Sequence, residues 1–242
     1  MRSLVRLEHI GKRHRLGAQV VQALSDVCIE IRRGEFVAVT GPSGSGKSTL
    51  LSIVGCLDRP SRGRYFLDGA DVCALDRSRL AGLRNERIGF VFQSFNLLAR
   101  LSALENVELP LFYRREPPAN ARALAKAALE QVGLSERMHH MPAQMSGGEQ
   151  QRTAVARAIV NEPDLLLTDE PTGALDTGTR DTILALFAEL HRDGLTVLLV
   201  THDSEVASRA QRAIRLRDGF VVGDGSAAVL DRPLAAQGQA DA

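Results

Sequence analysis

The sequence predicts an α/β fold, with a mixed central sheet, an antiparallel edge sheet beside it and a helical lobe inserted into the chain. Three observations carry this expectation. Short unbroken apolar runs at residues 36–40, 164–169 and 196–201 read as parallel strands buried on both faces. Partial alternation of apolar and polar residues at 4–8 and 25–31, around a loop near Gly17, reads as half-buried antiparallel strands. The stretch 97–144 has helical spacing instead, punctuated by Pro110, Pro117, Pro118 and Pro142.

In chain order, the strand at 36–40 runs into a Gly-rich loop, and a helix is predicted from Lys47 to Leu57, stopped by Asp58, Arg59 and Pro60. Residues 65–67 and 88–92 form a second group of strands. Within the lobe, 119–132 repeats apolar and small residues at helical spacing with Gly133 as its stop, and 149–160 supplies another helix ahead of Asn161, Glu162 and Pro163. The strand 164–169 ends in a carboxylate, and 177–193 is a crossover helix. Gly194 then turns the chain into 196–201, whose end presents His202. Residues 213–216 and 220–222 form a terminal hairpin around Asp218 and Gly219. Residues 1–225 are expected to be one domain, with a core at 1–93 and 161–225 and the lobe at about 94–160; 226–242 is read as a flexible tail.

Composition bounds the function. The 242 residues carry 30 basic and 29 acidic side chains, a net charge of +1, with 44% hydrophobic and 24% charged residues, which describes a folded globular chain. No uncharged apolar stretch is long enough to span a bilayer, and the first residues contain no apolar block of a leader peptide, so a cytoplasmic location without a membrane span is expected. Near-neutrality, two tyrosines and no tryptophan argue against a nucleic-acid partner. Cys28, Cys56 and Cys73 show no paired-ligand spacing and read as buried small side chains in a reducing compartment.

The strongest motif is Gly41, Pro42, Ser43, Gly44, Ser45, Gly46, Lys47, Ser48 and Thr49, lying between strand and helix. Such a loop aims successive backbone N–H groups at phosphate oxygens. Lys47 neutralises the β- and γ-phosphates, and the Ser48 hydroxyl reaches magnesium. Asp169 and Glu170 end a buried strand. There Asp169 is placed to hold Mg2+, directly or through water, and Glu170 to position or deprotonate the attacking water. His202, at the tip of another buried strand, contacts the γ-phosphate or fixes that water. Gln93, at the end of 88–92, touches magnesium or the attacking water. Ser146, Gly147, Gly148 and Glu149 open a helix and suit either anion binding or a plain N-cap. Glu149, being anionic, supports the helix terminus in either case. His9, His139, His140 and His191 have no matching partners in the sequence, and His139 with His140 reads as local polar structure.

Taken together, these stretches resemble the nucleotide-binding subunit of an ATP-binding cassette (ABC) transporter, from about residue 4 to 225. The loop from Gly41 to Ser48 resembles the family's phosphate loop and Gln93 its glutamine loop. Met145, Ser146, Gly147, Gly148, Glu149, Gln150, Gln151 and Arg152 resemble the defining signature, with Met145 in place of the more usual Leu. Residues 165–171 resemble the magnesium strand with its catalytic glutamate, Ala174, Leu175 and Asp176 the dimer-contact loop, and Thr201, His202 and Asp203 the switch-histidine loop. The resemblance implies a P-loop NTPase fold of the ABC ATPase type, ATP and Mg2+ as cofactors, and catalysis by Glu170, His202 and Lys47. It also implies a homodimer in which Ser146 to Glu149 of one subunit cover the ATP on Lys47 of the other. His14 falls where many relatives carry an aromatic that stacks on adenine; its imidazole offers less stacking area, and a plain loop histidine is the alternative.

Residues 95–107, with 148–152 and 171–176, are similar to the lipoprotein-releasing and macrolide-exporting ATPase subunits and to the cell-division cassette ATPase. That likeness implies a separate integral-membrane permease, a position on the cytoplasmic face of the bacterial inner membrane, and Phe95 to Val107 as the partner-facing segment. Two rival outputs share the ATP motifs: a cell-division or envelope-remodelling regulator that moves no cargo, and a nucleic-acid maintenance ATPase, for whose long coiled coil the chain has no room.

Overall fold

The computed structural model describes residues 2–17 and 19–227; the tail expected at 226–242 lies almost wholly outside them. Ten strands, β1 (Ser3–Leu16), β2 (Gln19–Arg32), β3 (Phe36–Thr40), β4 (Arg62–Leu67), β5 (Ala70–Asp71), β6 (Ile88–Phe92), β7 (Leu165–Asp169), β8 (Thr196–Val200), β9 (Arg212–Arg217) and β10 (Phe220–Ser226), form two sheets. One is antiparallel, in the order β2-β1-β4-β5, and the other is mixed, in the order β10-β9-β3-β8-β7-β6. In the mixed sheet β9, β3, β8, β7 and β6 are parallel, and β10 closes the edge as an antiparallel hairpin.

The central strands are buried on both faces, which is why they read as continuous apolar runs. Phe36 and Ala38 pack into one core with Leu166, Val197 and Leu199, while Val37 and Val39 pack into the other with Leu165, Leu167, Leu198 and Val200. The first core continues into the lobe, whose helices α3 (Ala103–Phe112), α4 (Ala121–Gln131) and α5 (Gly147–Ile159) bury Leu104, Val107, Leu129 and Val155. The second core joins α1 (Lys47–Val54) to the antiparallel sheet through Leu50, Ile53, Val5, Ile29 and Tyr65. The crossover helix α6 (Thr177–Arg192) and the short α7 (Ser204–Ala207) complete the layers, with Phe187 and Val206 in the first core.

Several expectations are corrected. Helix α1 ends at Val54, not Leu57, because Gly55 closes it by donating to Leu51 O at 2.8 Å and Cys56 turns left-handed at φ 55°. Residues 65–67 and 88–92 do not share a sheet: β4 pairs with β1, and β6 with β7. Between them lies α2 (Arg77–Arg87), absent from the sequence reading because it is polar on nearly every side and buries only Leu80. Pro110 sits inside α3 and does not end it. Cys28 is exposed and accepts the His9 N–H at 3.2 Å, and His9 Nδ1 lies 3.0 Å from Asp26, so neither the buried thiol nor the partnerless histidine holds there.

Two polar devices hold the frame. At the N-terminal ends of β3, β6 and β7, Arg33 and Arg87 each bind both Asp68 and Asp164, tying the two sheets and α2 together. Burial opposes ionisation of Asp68, but the guanidinium groups around it prevail and hold its pKa below the usual carboxylate value. In the lobe, the fully buried Asn106 accepts Leu98 N–H at 2.8 Å. Its amide donates to Leu98 O, Leu101 O and Ser102 O at 3.2, 3.0 and 3.0 Å, organising the loop that leads from β6 to α3. Replacing it by leucine strands those backbone groups without partners. Asn106→Leu is expected to lower unfolding free energy by about 2–3 kcal/mol, read from urea denaturation; a change within ~0.5 kcal/mol would contradict the assignment.

Candidate nucleotide site

Register decides where the chemistry collects. Val39 of β3 lies opposite Val200 of β8, Val200 opposite Asp169 of β7, and Asp169 opposite Phe92 of β6. The residues that leave the sheet next are therefore Thr40 into the Gly-rich loop, Thr201 followed by His202, Glu170, and Gln93. All lie along one carboxyl-end edge, where open parallel sheets bind ligands.

The Gly-rich loop is gripped from outside. A side chain at Gly41, with φ 147°, would fall 2.2 Å from Leu216 O of β9, and one at Gly46, with φ 102°, would fall 2.5 Å from Ala23 O of β2. The turn of the terminal hairpin adds support, because Gly219 donates to Ser45 O at 3.1 Å and accepts Ser25 N–H at 2.8 Å. Pro42, Ser43 and Gly44 stay exposed, whereas Ser45 is buried with its hydroxyl unpartnered. Helix α1 follows Gly46 without a side-chain cap or an acidic residue in its first turn, leaving its N-terminal amides available to an anion. Lys47 Nζ bridges Gly41 O and Pro42 O at 2.8 and 2.9 Å, bending its cation back over the loop, while Ser48 is exposed and Thr49 partly buried one turn into the helix.

Across the cleft, Asp169 is partly buried. Burial and the neighbouring Glu170 charge raise its pKa, and Lys47 pulls the other way without prevailing. The Asp169 carboxylate and the exposed Ser48 hydroxyl are hard oxygen donors of the kind that suits a divalent cation. Glu170 adopts φ 47°, a left-handed turn at the strand end. Its Oε1 accepts the His202 N–H at 3.1 Å and lies 2.6 Å from His202 Nδ1, and its Oε2 accepts Thr201 Oγ1–H at 3.4 Å. With an ionised carboxylate as acceptor, Nδ1 is the donor, and Nε2 is the ring nitrogen left for another contact. His202, expected at the γ-phosphate or the attacking water, thus has a partner the sequence does not show, Glu170. His202, Thr40, Gly41, Pro42, Ser204 and Arg215 line a cleft of ≈ 280 Å³.

Gln93 is exposed, and its amide nitrogen lies 2.7 Å from where a side chain at Gly173 would begin, so Gly173 makes room for it. Phe95 and Asn96, both left-handed, are anchored by Arg157 of α5, which donates to their carbonyls at 2.8 and 2.6 Å. Nothing local in the sequence marks Arg157, because its partners lie in another element. His14 sits half-buried in the β1–β2 hairpin, opposite Val21.

Ser146 to Glu149 open α5 with a reciprocal capping box. Ser146 Oγ accepts Glu149 N–H at 3.2 Å, and Glu149 accepts Ser146 N–H at 2.8 Å and binds Arg137 at 3.0 Å. Those bonds hold the Glu149 pKa below its usual value, the Ser146 N–H contributing most. Gly147 is exposed, and a side chain at Gly148 would fall 2.5 Å from Thr179 Cγ2 of α6. Among the described residues no hydrogen bond joins this segment to Gly41 through Thr49 of the same chain.

A concavity of ≈ 1190 Å³ lies away from this chemistry, between α2, β6, the end of α3 and Arg157. Phe90, Asn96, Pro110, Tyr113 and Arg115 line it, and Phe112 and Tyr113 beside it are 57% and 70% exposed. Of the expected partner-facing segment 95–107 only Asn96 lines the groove, while Ala103, Leu104, Asn106 and Val107 are lobe interior.

The family model described as ABC transporter matches residues 24–173. The chain belongs to the ABC transporter family. It is 51% identical to the uncharacterised ABC transporter ATP-binding protein YvrO of Bacillus subtilis, over 91% of this chain and 96% of that one. It is 50% identical to the macrolide export ATP-binding/permease protein MacB of Hyphomonas neptunium over 91% of this chain, which spans only 34% of MacB. Among solved structures it resembles a dimeric post-hydrolysis state of the ATP-binding cassette MJ0796 bound to ADP and Pi, with TM-score 0.85, 44% identity, and coverage of 93% of this chain and 99% of that one. The chain is thus an ATP-hydrolysing cassette of the α/β ABC type, and no described helix is long and apolar enough to cross a membrane.

The raised pKa of Asp169 gives a test of its electrostatic cost at the strand end. A carboxyl whose folded pKa exceeds its unfolded value favours folding only while protonated, and that favour is lost as pH rises through the folded pKa. Asp169→Asn is expected to be more stable than the nucleotide-free wild type at neutral pH, with the gap closing below about pH 4. Urea unfolding across pH checks this; a variant no more stable at neutral pH would contradict it.

Proposed function

We propose that the chain is the ATPase subunit of an export-type or lipoprotein-releasing ABC transporter, working as a homodimer on a separate membrane permease. The observation that carries the reading is the Glu170–His202 pair facing the Gly-rich loop across the carboxyl edge of the sheet. In this reading residues 1–225 act as one ATPase unit, with 94–160 as the lobe. Lys47 exchanges the carbonyls of Gly41 and Pro42 for β- and γ-phosphate oxygens. The backbone of Gly41 to Gly46, with the first amides of α1 from Lys47 through Thr49, binds the phosphates. Ser48, Asp169 and Gln93 would hold Mg2+, which when bound would supply charge neutralisation for the phosphates. Glu170 accepts a proton from the attacking water, and His202 keeps the carboxylate oriented and offers Nε2 toward the γ-phosphate. His14 supplies a small stacking surface for the base.

Ser146, Gly147 and Gly148 complete the site of a second copy, with Glu149 spent on capping its own helix. Support comes from the uncovered position of Gly147 at the start of α5 and from the dimeric cassette the chain resembles. The groove between α2 and the lobe takes the permease, placing the complex at the cytoplasmic face of the membrane. The wide match to a relative named only as an ATP-binding protein supports a permease on another chain.

Glu170→Gln is expected to lower turnover by about 10²–10⁴-fold while still binding ATP, and to form ATP-dependent dimers. Steady-state phosphate release and light scattering with and without ATP measure both. Near-normal turnover, or a variant that stays monomeric with ATP, would contradict the reading.

A further inference from the structure

Helix α6 is capped by Asp176, directly after the Ala174–Leu175 loop, and its first turn touches two other parts of the machinery. Thr179 abuts Gly148, and the next residue, Arg180, points toward α7. The Arg180 side chain is only 19% exposed. It donates from Nη1 to Asp203 Oδ2 at 3.2 Å and from Nη2 to Glu205 Oε2 at 2.7 Å, while its Nε is buried without a partner. A second pair, Arg209 with Asp181 at 3.4 Å, runs parallel to it.

Asp203 is the residue after His202, and its contacts lead straight into the reacting pair. Its Oδ1 accepts Glu205 N–H at 2.8 Å and Val206 N–H at 3.4 Å, starting α7. Its own N–H donates to Thr201 Oγ1 at 3.0 Å, and Thr201 Oγ1 donates to Glu170 Oε2 at 3.4 Å. The loop from Thr201 to Asp203 thus hangs between Glu170 at one end and Arg180 at the other. A mostly shielded guanidinium bridging two carboxylates has a defined geometry that an exposed lysine pair lacks.

We propose that Arg180 is a positioning residue for ATP hydrolysis, fixing the His202 loop to the first turn of α6 so that His202 and Thr201 hold Glu170 in its reactive orientation. The inference rests on the reading of Glu170 and His202 given above. It also supplies a physical link, since displacement of the α6 N-terminus by a second copy seated near Gly148 would pull on Asp203 and thereby on the Glu170 contacts. Arg180 touches neither nucleotide nor water in this account, so its removal should disturb the chemical step more than nucleotide affinity.

The test compares Arg180→Met, which keeps the packing volume, Arg180→Lys, which keeps the charge, Glu205→Gln, an exposed change that removes one guanidinium partner, and His202→Ala. For each, kcat and KM for Mg-ATP are measured alongside melting temperature. Arg180→Met is expected to lower kcat roughly tenfold with KM within about twofold, Arg180→Lys to recover part of the loss, and Glu205→Gln to lower kcat about two- to threefold. Should Arg180→Met fail to fold, the lysine and glutamine variants decide by the same split. An unchanged kcat in the folded variants, or a loss carried by KM and not restored by lysine, overturns the positioning role. Turnover surviving in His202→Ala overturns the reading of the site itself, whatever the Arg180 variants do.

Discussion

Everything at the site hangs on the parallel register of β3, β8, β7 and β6, which places Val39, Val200, Asp169 and Phe92 side by side and sends the next residues of four distant segments over one edge. A slip of one residue in any of these strands would invert its side chains between the two cores. Because both faces are packed, with Phe36 and Val37 on opposite sides and Leu166 and Leu167 likewise, the hydrophobic effect opposes any such slip. At the other end of the strands, Arg33 and Arg87 with Asp68 and Asp164 hold the strand starts together, so the frame is pinned at both poles.

On this frame the functional edge carries unfavourable features that the core compensates. Glu170 is left-handed, Asp169 is partly buried beside another carboxylate, Ser45 has a buried hydroxyl without a partner, and Lys47 is turned onto its own loop. In the proposed function, these groups await a ligand that brings negative phosphate oxygens and a cation. On that reading, binding would relieve several of these costs at once, which is how a ligand distinguishes two states of a protein.

The fold was legible wherever burial was two-sided or punctuation was strong. The apolar runs of β3, β7 and β8 lie within a residue of where they were read, and the Asp218–Gly219 turn joins β9 to β10 with both residues left-handed. It was illegible where tertiary contacts decide. The sequence Arg77 to Arg87 buries one leucine and so shows no periodicity, yet it forms a wall of the groove beside the lobe. Strands β1 and β2 run much further than their alternating segments because bulges, with His9 and Asp26 left-handed, interrupt the pattern. The site motifs could be read from residue type and order, but their partners could not. The bond from His202 to Glu170, the grip of Arg157 on the Phe95 and Asn96 carbonyls, and the Gly219 support of the phosphate loop all join residues far apart in the chain.

The central claim is that one chain carries two halves of a nucleotide site, the Gly41–Thr49 loop and the Ser146–Gly148 segment, which meet only between copies. Mixing two inactive variants tests it most directly. Lys47→Ala disables one half and Gly148→Asp the other, and only a mixed dimer pairs an intact loop with an intact segment. Phosphate release from an equimolar mixture should recover to about a quarter of wild type, since half the dimers are mixed and each has one working site. Activity that stays at the level of the separate variants would contradict the account.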